Sequence, residues 1–475
     1  MKASRKRSRA TGWRIRPGEM RTLLIIGDLA MAFLALLLAL YIWGIEDQWL
    51  QFSTAFLQER VQPWFYLLPL AWLVALLDLY DIHRANNWRS TLAGISVAAL
   101  AGVGIYALVY LISPPVSLPR VGVGIFLVTA SLLTLAWRLI FIKVFTAPAF
   151  MRRVLIVGAG LAGTTMLEAY RSLNPPPFRL LGFIDDDPGK IGSRLDGFKV
   201  IAGSSRLLEI IQKEQVSDVI VAITGEMRGD TFQTILDAQE RGVEVTPMPN
   251  MYEDLFGRVP IHHLESEWIL RSFIVEARAD RFYEMLKRLL DICGGIIGMA
   301  LLGLLFPLIT LVILLDSGRP ILYTQLRVGR SARPYKIWKF RTMRQDAEAD
   351  GKARVTQRRD ERITRTGRLL RRTHIDELPQ FWNVLRGEMS MVGPRAERPE
   401  LILEYEKQIP FYRARLLVKP GITGLAQIKY SYFATIEETT MKLEYDLYYI
   451  KHRNLFMDIV ILIRTFGQVL RLRGR

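Results

Sequence analysis

Residues Arg371–Arg395 read RRTHIDELPQFWNVLRGEMSMVGPR and contain an adjacent acid pair, Asp376 and Glu377. Pro379 suits the first turn of a helix, because proline lacks the amide hydrogen that this turn leaves unpaired. The carboxylates therefore open a helix, where exposed amide hydrogens attract phosphate and keep a carboxylate ionised. Three arginines frame the pair: Arg371, Arg372 and Arg395. A nucleophilic carboxylate, a metal-binding carboxylate and guanidinium groups are the parts that phosphoryl transfer needs.

An acid pair before Leu-Pro is also an ordinary helix cap, and Asp376 with Glu377 fits that alternative. Three further blocks favour the chemical interpretation: YKIWKFRTM (Tyr335–Met343), VKPGITGLAQI (Val418–Ile428) and YDLYYIKHRNLFMDIVIL (Tyr445–Leu462). Together with Arg371–Arg395, these blocks resemble the signature of the bacterial sugar transferase family. The resemblance is to the large monotopic polyprenyl-phosphate glycosyl-1-phosphate transferases, of the undecaprenyl-phosphate glucose or galactose phosphotransferase type. Four separated blocks in the same order argue against a chance match.

The resemblance implies transfer of a sugar 1-phosphate from a UDP-sugar to undecaprenyl phosphate, with release of UMP. This reaction is the first membrane step of exopolysaccharide, capsule or O-antigen synthesis. The resemblance assigns Asp376 as the nucleophile that forms an aspartyl phosphosugar intermediate, and Glu377 as the ligand of Mg²⁺ or Mn²⁺. The spacing alone does not say which acid has which role. The sequence leaves the sugar open, and it leaves the oligomeric state open with a homodimer as one option.

Basic side chains are placed to bind the phosphates of such a donor. Arg371 and Arg395 suit bidentate contacts with phosphate oxygens. Lys339 and Arg341 lie at the end of PILYTQLRVGRSARPYKIWKFRTM, a predicted β-hairpin whose basic residues can face phosphate. The alternative for both residues is contact with lipid headgroups.

Two positions depart from the family pattern. Glu361 stands where the family is expected to have the proline of Asp-Pro-Arg-Ile-Thr. Ala396 stands where the family often has a second proline after the arginine. The resemblance therefore does not fix the local backbone at either position.

The apolar run Ile292–Leu315 is long enough to cross a bilayer. Basic residues flank both ends, and the cytoplasmic bias of lysine and arginine places both ends on that side. Pro307 removes a helical hydrogen bond and predicts a helix-break-helix segment that enters one leaflet and returns. The resemblance implies the same re-entrant hairpin near residues 285–316, within a catalytic domain predicted over 275–475. A fifth complete span is the alternative.

A Rossmann-like α/β domain is predicted over residues 149–262. A short apolar strand is followed by a G-x-G-x-x-G turn and a helical pattern, in the context that the dinucleotide fingerprint requires. The next strand ends in Asp185, Asp186 and Asp187, roughly where a ribose-binding acid would stand. A nucleotide or cofactor site is one interpretation. We favour a non-catalytic docking or regulatory domain, because the layout resembles the CoA-binding-like domain of the larger family members and fold alone does not establish function.

The segment 1–148 is predicted to be a four-helix transmembrane domain. Its apolar runs are Thr22–Gly44, Pro63–Leu79, Thr91–Ile112 and Val121–Val144. The placement of lysine and arginine puts both ends of this bundle in the cytoplasm. Asp28 and Asp78 lie in or at the edge of these runs, and we expect water or an arginine, rather than a functional role, to account for them.

The composition agrees with an assembly of membrane and cytoplasmic parts. Of the 475 residues, 50% are hydrophobic, and the formal net charge is +17. We expect the basic residues to contact anionic lipid and to keep the flanking segments in the cytoplasm, and not to bind nucleic acid, because they border apolar runs. The segment Glu437–Arg475 has the spacing of helices that lie on a bilayer or pack on the domain core. The single cysteine, Cys293, fits a reducing compartment.

The sequence thus predicts a multi-pass protein of the bacterial inner membrane, with both termini and the catalytic domain in the cytoplasm. Its fold class is an α-helical transmembrane bundle, a Rossmann-like α/β domain and an α/β monotopic transferase domain with a re-entrant membrane helix. Two rival functions fit the sequence less well. Tyr283 and Lys287 have the Tyr-x-x-x-Lys spacing of a membrane-anchored nucleotide-sugar dehydratase or epimerase, but no glycine-rich turn of a second nucleotide fold precedes them. A non-enzymatic scaffold of polysaccharide assembly has no reason for the acids and arginines of Arg371–Arg395.

Overall fold

The computed structural model describes residues 17–80, 85, 87–113, 119–145, 151–264, 281–344, 360, 362–430 and 435–470. The chain divides into two compact units, residues 1–248 and 249–475. The first unit contains apolar helices and an α/β domain. The second unit contains the four sequence blocks of the transferase signature.

Apolar helices begin the first unit. They are α1 (Pro17–Glu46), α2 (Thr54–Glu59), α3 (Leu68–Ala75), α4 (Trp88–Ile112) and α5 (Arg120–Phe145). Among the described residues of this unit, α1, α4 and α5 are long and apolar enough to cross a bilayer. Asn87 begins α4 by accepting hydrogen bonds from the amides of Arg89 and Ser90, as an N-cap residue does.

The second predicted apolar run differs from the single long helix that we expected. It consists of a 3₁₀ turn at Pro63–Leu67, the short helix α3 and a second 3₁₀ turn at Leu77–Tyr80. Pro63 and Pro69 stand in the first turns of the first two of these segments. A proline ring is tolerated in a first turn, but a helix that precedes the proline cannot continue through it. The four predicted helices of 1–148 therefore correspond, among the described residues, to three long helices and one broken segment.

An ion pair is buried inside the apolar bundle. Asp28 of α1 and Arg138 of α5 are both fully buried, and Arg138 Nη2 lies 2.6 Å from Asp28 Oδ2. Arg138 Nη1 also donates to the Leu79 carbonyl oxygen at 3.1 Å. A buried carboxylate with an arginine partner is structurally accounted for, as the sequence analysis expected for Asp28. The side chain of Asp78 lies outside the described residues.

The α/β domain contains one six-stranded sheet. Its elements are β1 (Arg153–Val157), α6 (Leu161–Ser172), β2 (Arg179–Ile184), β3 (Arg194–Leu195), β4 (Phe198–Ala202), α7 (Leu207–Glu214), β5 (Asp218–Val221), α8 (Gly229–Glu240) and β6 (Glu244–Pro247). The strand order is β3-β4-β2-β1-β5-β6, and every pair is parallel except β3 with β4. A central strand followed by a glycine turn and a helix matches the predicted Rossmann-like arrangement.

The glycine turn of this domain is used for internal packing. Gly158 has φ +109°, and a Cβ there would lie 2.5 Å from the Ala222 carbonyl oxygen. Asp185, one of the candidate ribose-binding acids, instead accepts a hydrogen bond from the amide of Ala159 at 2.7 Å. One donor of the turn is therefore satisfied by the protein itself. This contact favours the non-catalytic interpretation, while a ligand for the domain stays a prediction.

The second unit combines helices with a β-hairpin and a two-stranded sheet. Its elements are α9 (Met248–Phe256, which begins at the boundary), α10 (Arg281–Ser317), β7 (Leu322–Val328), β8 (Pro334–Phe340), α11 (Arg365–Arg372), α12 (Gln380–Arg386), β9 (Ser390–Val392), α13 (Pro399–Gln408), β10 (Gly421–Thr423), α14 (Leu425–Lys429), α15 (Ile436–His452) and α16 (Leu455–Leu470). Strands β7 and β8 form the predicted hairpin, and β9 pairs in parallel with β10. Val259 and Ile261 are buried against Leu443 and Leu447 in the core of this unit.

Helix α10 continues without interruption for 37 residues, with Pro307 inside it. The expected helix-break-helix is therefore wrong in this respect. Phe306 packs on Phe340 with ring centroids 5.8 Å apart, and Leu302 and Ile309 are buried in the same cluster. Packing on both sides of Pro307 compensates the hydrogen bond that proline removes. Entry and exit of this segment on one side of a membrane stays a prediction.

Candidate active site

The acid pair lies on a short 3₁₀ turn, Ile375–Glu377, between α11 and α12. His374 adopts the left-handed conformation (φ 57°) before this turn, and Pro379 occupies the N-cap position of α12. Asp376 and Glu377 therefore lie directly before the start of α12. The predicted helix start is confirmed. Asp376 is buried, with 7% of its surface exposed.

Two cations converge on the carboxylate of Glu377. Lys339 Nζ of β8 and Arg395 Nη2, from the loop after β9, each donate to Glu377 Oε1 at 2.8 Å. Three of the residues predicted from the sequence are thus brought together by different elements. The arrangement places two positive charges beside the acid pair.

The surroundings shift the pKa values of the two acids in opposite directions. Burial, and then the charge of Glu377, raises the pKa of Asp376 to about 6. Burial alone would also raise the pKa of Glu377, but the charges of Arg395 and Lys339 outweigh it and hold that pKa well below its ordinary value. Glu377 is therefore the ionised partner, while Asp376 gains or loses its proton near neutral pH.

The remaining predicted cations occupy different places. Arg371 Nε donates to Thr342 Oγ1 at 2.8 Å. Burial lowers the pKa of Arg371, and the charge of Asp376 acts in the opposite direction, so this guanidinium lies within electrostatic reach of the acid pair. Arg341 was also predicted to bind substrate. Its guanidinium instead donates to the carbonyl oxygens of Ser317, Gly318 and Arg319 at 2.7 Å, where α10 ends.

Strand geometry explains why Arg341 and Lys339 make different contacts, while substrate binding by Arg341 stays a prediction. Residues two apart within a strand share a face. Strand β8 ends at Phe340, and alternation no longer applies one residue later. Arg341 therefore satisfies the carbonyl groups that a helix end leaves unpaired.

The acid pair fits a magnesium ion only with help from the substrate. Among the described residues, no group of three or more His, Cys, Asp or Glu side chains could hold a metal. Magnesium is usually held by one or two carboxylates and substrate phosphates, so Asp376 and Glu377 with a diphosphate make a suitable donor set. Lys339 and Arg395 both contact Glu377 Oε1, so a metal ion bound there would share this carboxylate with two cations.

Two further arginines hold the loop that carries Arg395. Arg415 Nη2 donates to the Arg395 carbonyl oxygen at 2.9 Å, and Arg327 Nη1 donates to the Ala396 carbonyl oxygen at 3.0 Å. The sequence analysis singled out neither residue. The sequence contains only a weak indication that Arg327 belongs to the site, because this residue lies in the hairpin whose basic residues were expected to face phosphate. Arg415 belongs to none of the four signature blocks, so no motif marked it.

Comparison with known proteins assigns the chain to a family. Residues 282–472 match the family model described as bacterial sugar transferase, and residues 75–240 match one described as a CoA-binding domain. A UDP-galactose-lipid carrier transferase from Erwinia amylovora is 30% identical over 68% of this chain and 69% of its own length. The chain belongs to the bacterial sugar transferase family.

Other members of the bacterial sugar transferase family match different lengths of the chain. A UDP-glucose:undecaprenyl-phosphate glucose-1-phosphate transferase from Xanthomonas campestris pv. campestris is 29% identical over 84% of this chain and 85% of its own length. A UDP-N-acetylgalactosamine-undecaprenyl-phosphate N-acetylgalactosaminephosphotransferase from Aeromonas hydrophila is 39% identical over 48% of this chain. The chain spans about half (52%) of the length of the Aeromonas relative.

The Tyr-x-x-x-Lys spacing that suggested a dehydratase has a packing role in this member of the family. Tyr283 Oη and Lys287 Nζ, both on α10, each donate to Asp458 Oδ2 at 2.9 Å. Lys287 Nζ also donates to Tyr449 Oη at 3.0 Å. These contacts join α10 to α15 and α16, and they account for both residues without a nicotinamide cofactor.

Proposed function

We propose that this protein transfers a sugar 1-phosphate from a UDP-sugar to undecaprenyl phosphate and releases UMP, through an aspartyl phosphosugar intermediate. The observation that carries the proposal is the acid pair at a helix start, with Asp376 buried and Glu377 held between Lys339 and Arg395. The names of the relatives support the two substrates, since they join undecaprenyl phosphate or a lipid carrier to a sugar donor.

The first step is attack by a carboxylate oxygen of Asp376 on the phosphorus that bears the sugar. The new bond joins oxygen to phosphorus, and the bond to the UMP oxygen breaks with its electron pair on UMP. In the second step, an oxygen of undecaprenyl phosphate attacks the same phosphorus. The bond to Asp376 breaks, which regenerates the carboxylate and yields the lipid diphosphate sugar.

The neighbouring residues prepare both steps. Lys339 and Arg395 neutralise the charge of the diphosphate beside the buried Asp376, where charges act more strongly than in bulk water. Glu377 would hold Mg²⁺ or Mn²⁺ together with the substrate phosphates, and the ion would supply further charge neutralisation on the diphosphate. Asp376 attacks only when ionised, so its raised pKa requires a pH above about 6 for full reactivity.

Function is tested by mixing purified protein, Mg²⁺ and undecaprenyl phosphate with a panel of UDP-sugars. We expect UMP to be released with one or a few sugars, and a lipid-linked sugar phosphate to form in equal amount. Folded protein that releases no UMP with any sugar would contradict the proposal. Conversion of the UDP-sugar without lipid or UMP release would instead support the dehydratase or epimerase.

We also propose that α10 enters the membrane from the cytoplasmic side and does not cross it. Near one end of the apolar run, Asp291 Oδ1 accepts hydrogen bonds from Ser390 Oγ and the amide of Met391, both at 2.8 Å. Near the other end, Asp316 Oδ2 accepts from the amide of Thr366 at 2.9 Å. If α10 crossed the membrane, its two ends would lie on opposite sides, yet both ends contact polar groups of the same unit.

Cysteine labelling tests this arrangement in intact cells. In a Cys293→Ser background, we expect an exposed cysteine at Ser331 to resist a membrane-impermeant reagent until the inner membrane is opened. A cysteine at the exposed Gln48, which follows α1 and is predicted to face outward, serves as the matched control and should react in intact cells. Reaction at Ser331→Cys in intact cells would place the acid pair away from cytosolic UDP-sugars and overturn the topology.

A further inference from the structure

Every backbone carbonyl of the loop Pro394–Glu397, which carries Arg395, accepts a hydrogen bond from outside the loop. The first carbonyl accepts from the amide of Gly421 at 2.9 Å, and the last accepts from the amide of Val328 at 3.1 Å. The two central carbonyls accept from arginine guanidinium groups, as described above. The loop is therefore fixed by β7, β10 and the 3₁₀ segment Tyr412–Leu417 together.

The carboxylate of Glu397 is the shared counter-charge of this arrangement. It accepts a hydrogen bond from Lys442 Nζ, and it lies 3.7 Å from Arg415 Nη1 and 3.8 Å from Arg327 Nη1. Burial alone would raise the pKa of Glu397, but the charges of Lys442 and Arg415 lower it to about 2. Glu397 is thus a buried anion surrounded by three cations.

Glu397 is the counter-charge that these three cations share, although Arg415 and Arg327 also have partners of their own. The side chains of Arg415, Lys442 and Arg327 are only 3%, 9% and 16% exposed, so water cannot replace a lost partner. Arg415 also donates to Asp446 Oδ2 at 2.9 Å, which ties the cluster to α15. Removing one partner of a buried ion pair is costly because the other charge stays buried without compensation.

We propose that Glu397 is a positioning residue for Arg395: it holds Arg415 and Arg327 where they fix the loop, and the loop aims Arg395 at the donor diphosphate. The inference rests on the proposed transfer reaction. It also explains how the loop stays ordered with Ala396 in place of a second proline. A proline ring would fix φ at that position, whereas here the two guanidinium groups hold the neighbouring carbonyls.

The variant Glu397→Gln distinguishes a positioning role from a purely electrostatic one, because the two roles predict opposite changes in the kinetics. Removing a negative charge close to Arg395 would strengthen attraction for a diphosphate and lower KM for the UDP-sugar if field strength were the only effect. Misplacement of Arg395 instead lowers kcat/KM, and we expect a loss of about 100-fold, the usual result of a displacement near 1 Å. The exposed Glu404→Gln on α13 is the matched control and should keep wild-type activity.

A double-mutant cycle separates positioning from general loss of structure. If Glu397 acts through Arg395, Glu397→Gln should cost little in an Arg395→Ala background, whereas a folding defect would lower activity in both backgrounds. Arg327→Gln, at the edge of the cluster, should show the same coupling and serves if Glu397→Gln does not fold. Wild-type kcat/KM in either variant, or equal losses in both backgrounds, would overturn the inference. If the wild-type protein is inactive, the transfer reaction is refuted instead. Binding of UDP-glucose, measured by calorimetry, then tests the positioning role. An affinity that Glu397→Gln leaves unchanged would overturn that role.

Discussion

Replacement of Asp376 by asparagine is expected to lower UMP release by roughly 10³-fold or more, because an amide cannot act as the carboxylate nucleophile of a covalent transfer. The substitution keeps the size of the side chain, so the 3₁₀ turn at Ile375–Glu377 should persist. Release of UMP over time, with donor and lipid saturating, measures the loss. The exposed Asp230→Asn is the matched control and should be as active as the parent protein.

The same residue can be examined without the lipid. Wild-type protein mixed with its UDP-sugar alone should gain the mass of a phosphosugar on the peptide that contains Asp376. It should also exchange labelled UMP into the donor, since the first step is reversible and needs no acceptor. Asp376→Asn should show neither signal. Full activity in that variant, or labelling on another peptide, would rule out Asp376 as the nucleophile.

The sequence predicted the local part of the site better than its long-range part. The helix start at Asp376 follows from Pro379 and neighbouring residues, which are local features. The contacts of Glu377 with Lys339 and Arg395 join residues 38 and 18 positions apart, so they depend on how strands and helices pack. Lys339, Glu377 and Arg395 were each predicted as site residues. The contact of both cations with Glu377 in the protein without substrate was not predicted.

The error at Pro307 has the same origin. Pro307 predicted a break from backbone chemistry alone, whereas α10 is continuous and Phe306 packs on Phe340 beside the proline. The contact of Asp185 with the amide of Ala159 agrees with the non-catalytic interpretation that we favour, and it too is a contact between separate segments of the chain. A single sequence does not reveal such contacts.

The second large effect concerns Glu377 and the divalent ion. Excess chelator is expected to stop UMP release, because the two carboxylates and the diphosphate would lose the ion that neutralises them. Glu377→Gln should lose most of the response to added Mg²⁺, and binding of Mn²⁺ measured by electron paramagnetic resonance should weaken in parallel. Membrane association should be unchanged, since the apolar surface of α10 is untouched. Activity that persists in chelator would remove the metal from the mechanism.

Glu377→Gln should also move the pH dependence, and the sign follows from the charges. In the wild-type protein the rate rises with pH as Asp376 loses its proton, and burial with the Glu377 charge places this limb near pH about 6. Neutralising residue 377 removes the repulsion that favours the protonated form of Asp376, while Lys339 and Arg395 remain to favour the ionised form. The acid limb should therefore shift to lower pH even though the maximal rate falls. An acid limb of the pH–rate profile that stays in place or moves to higher pH would show that Glu377 does not set the ionisation of Asp376. The control Glu404→Gln should leave both the acid limb and the maximal rate unchanged.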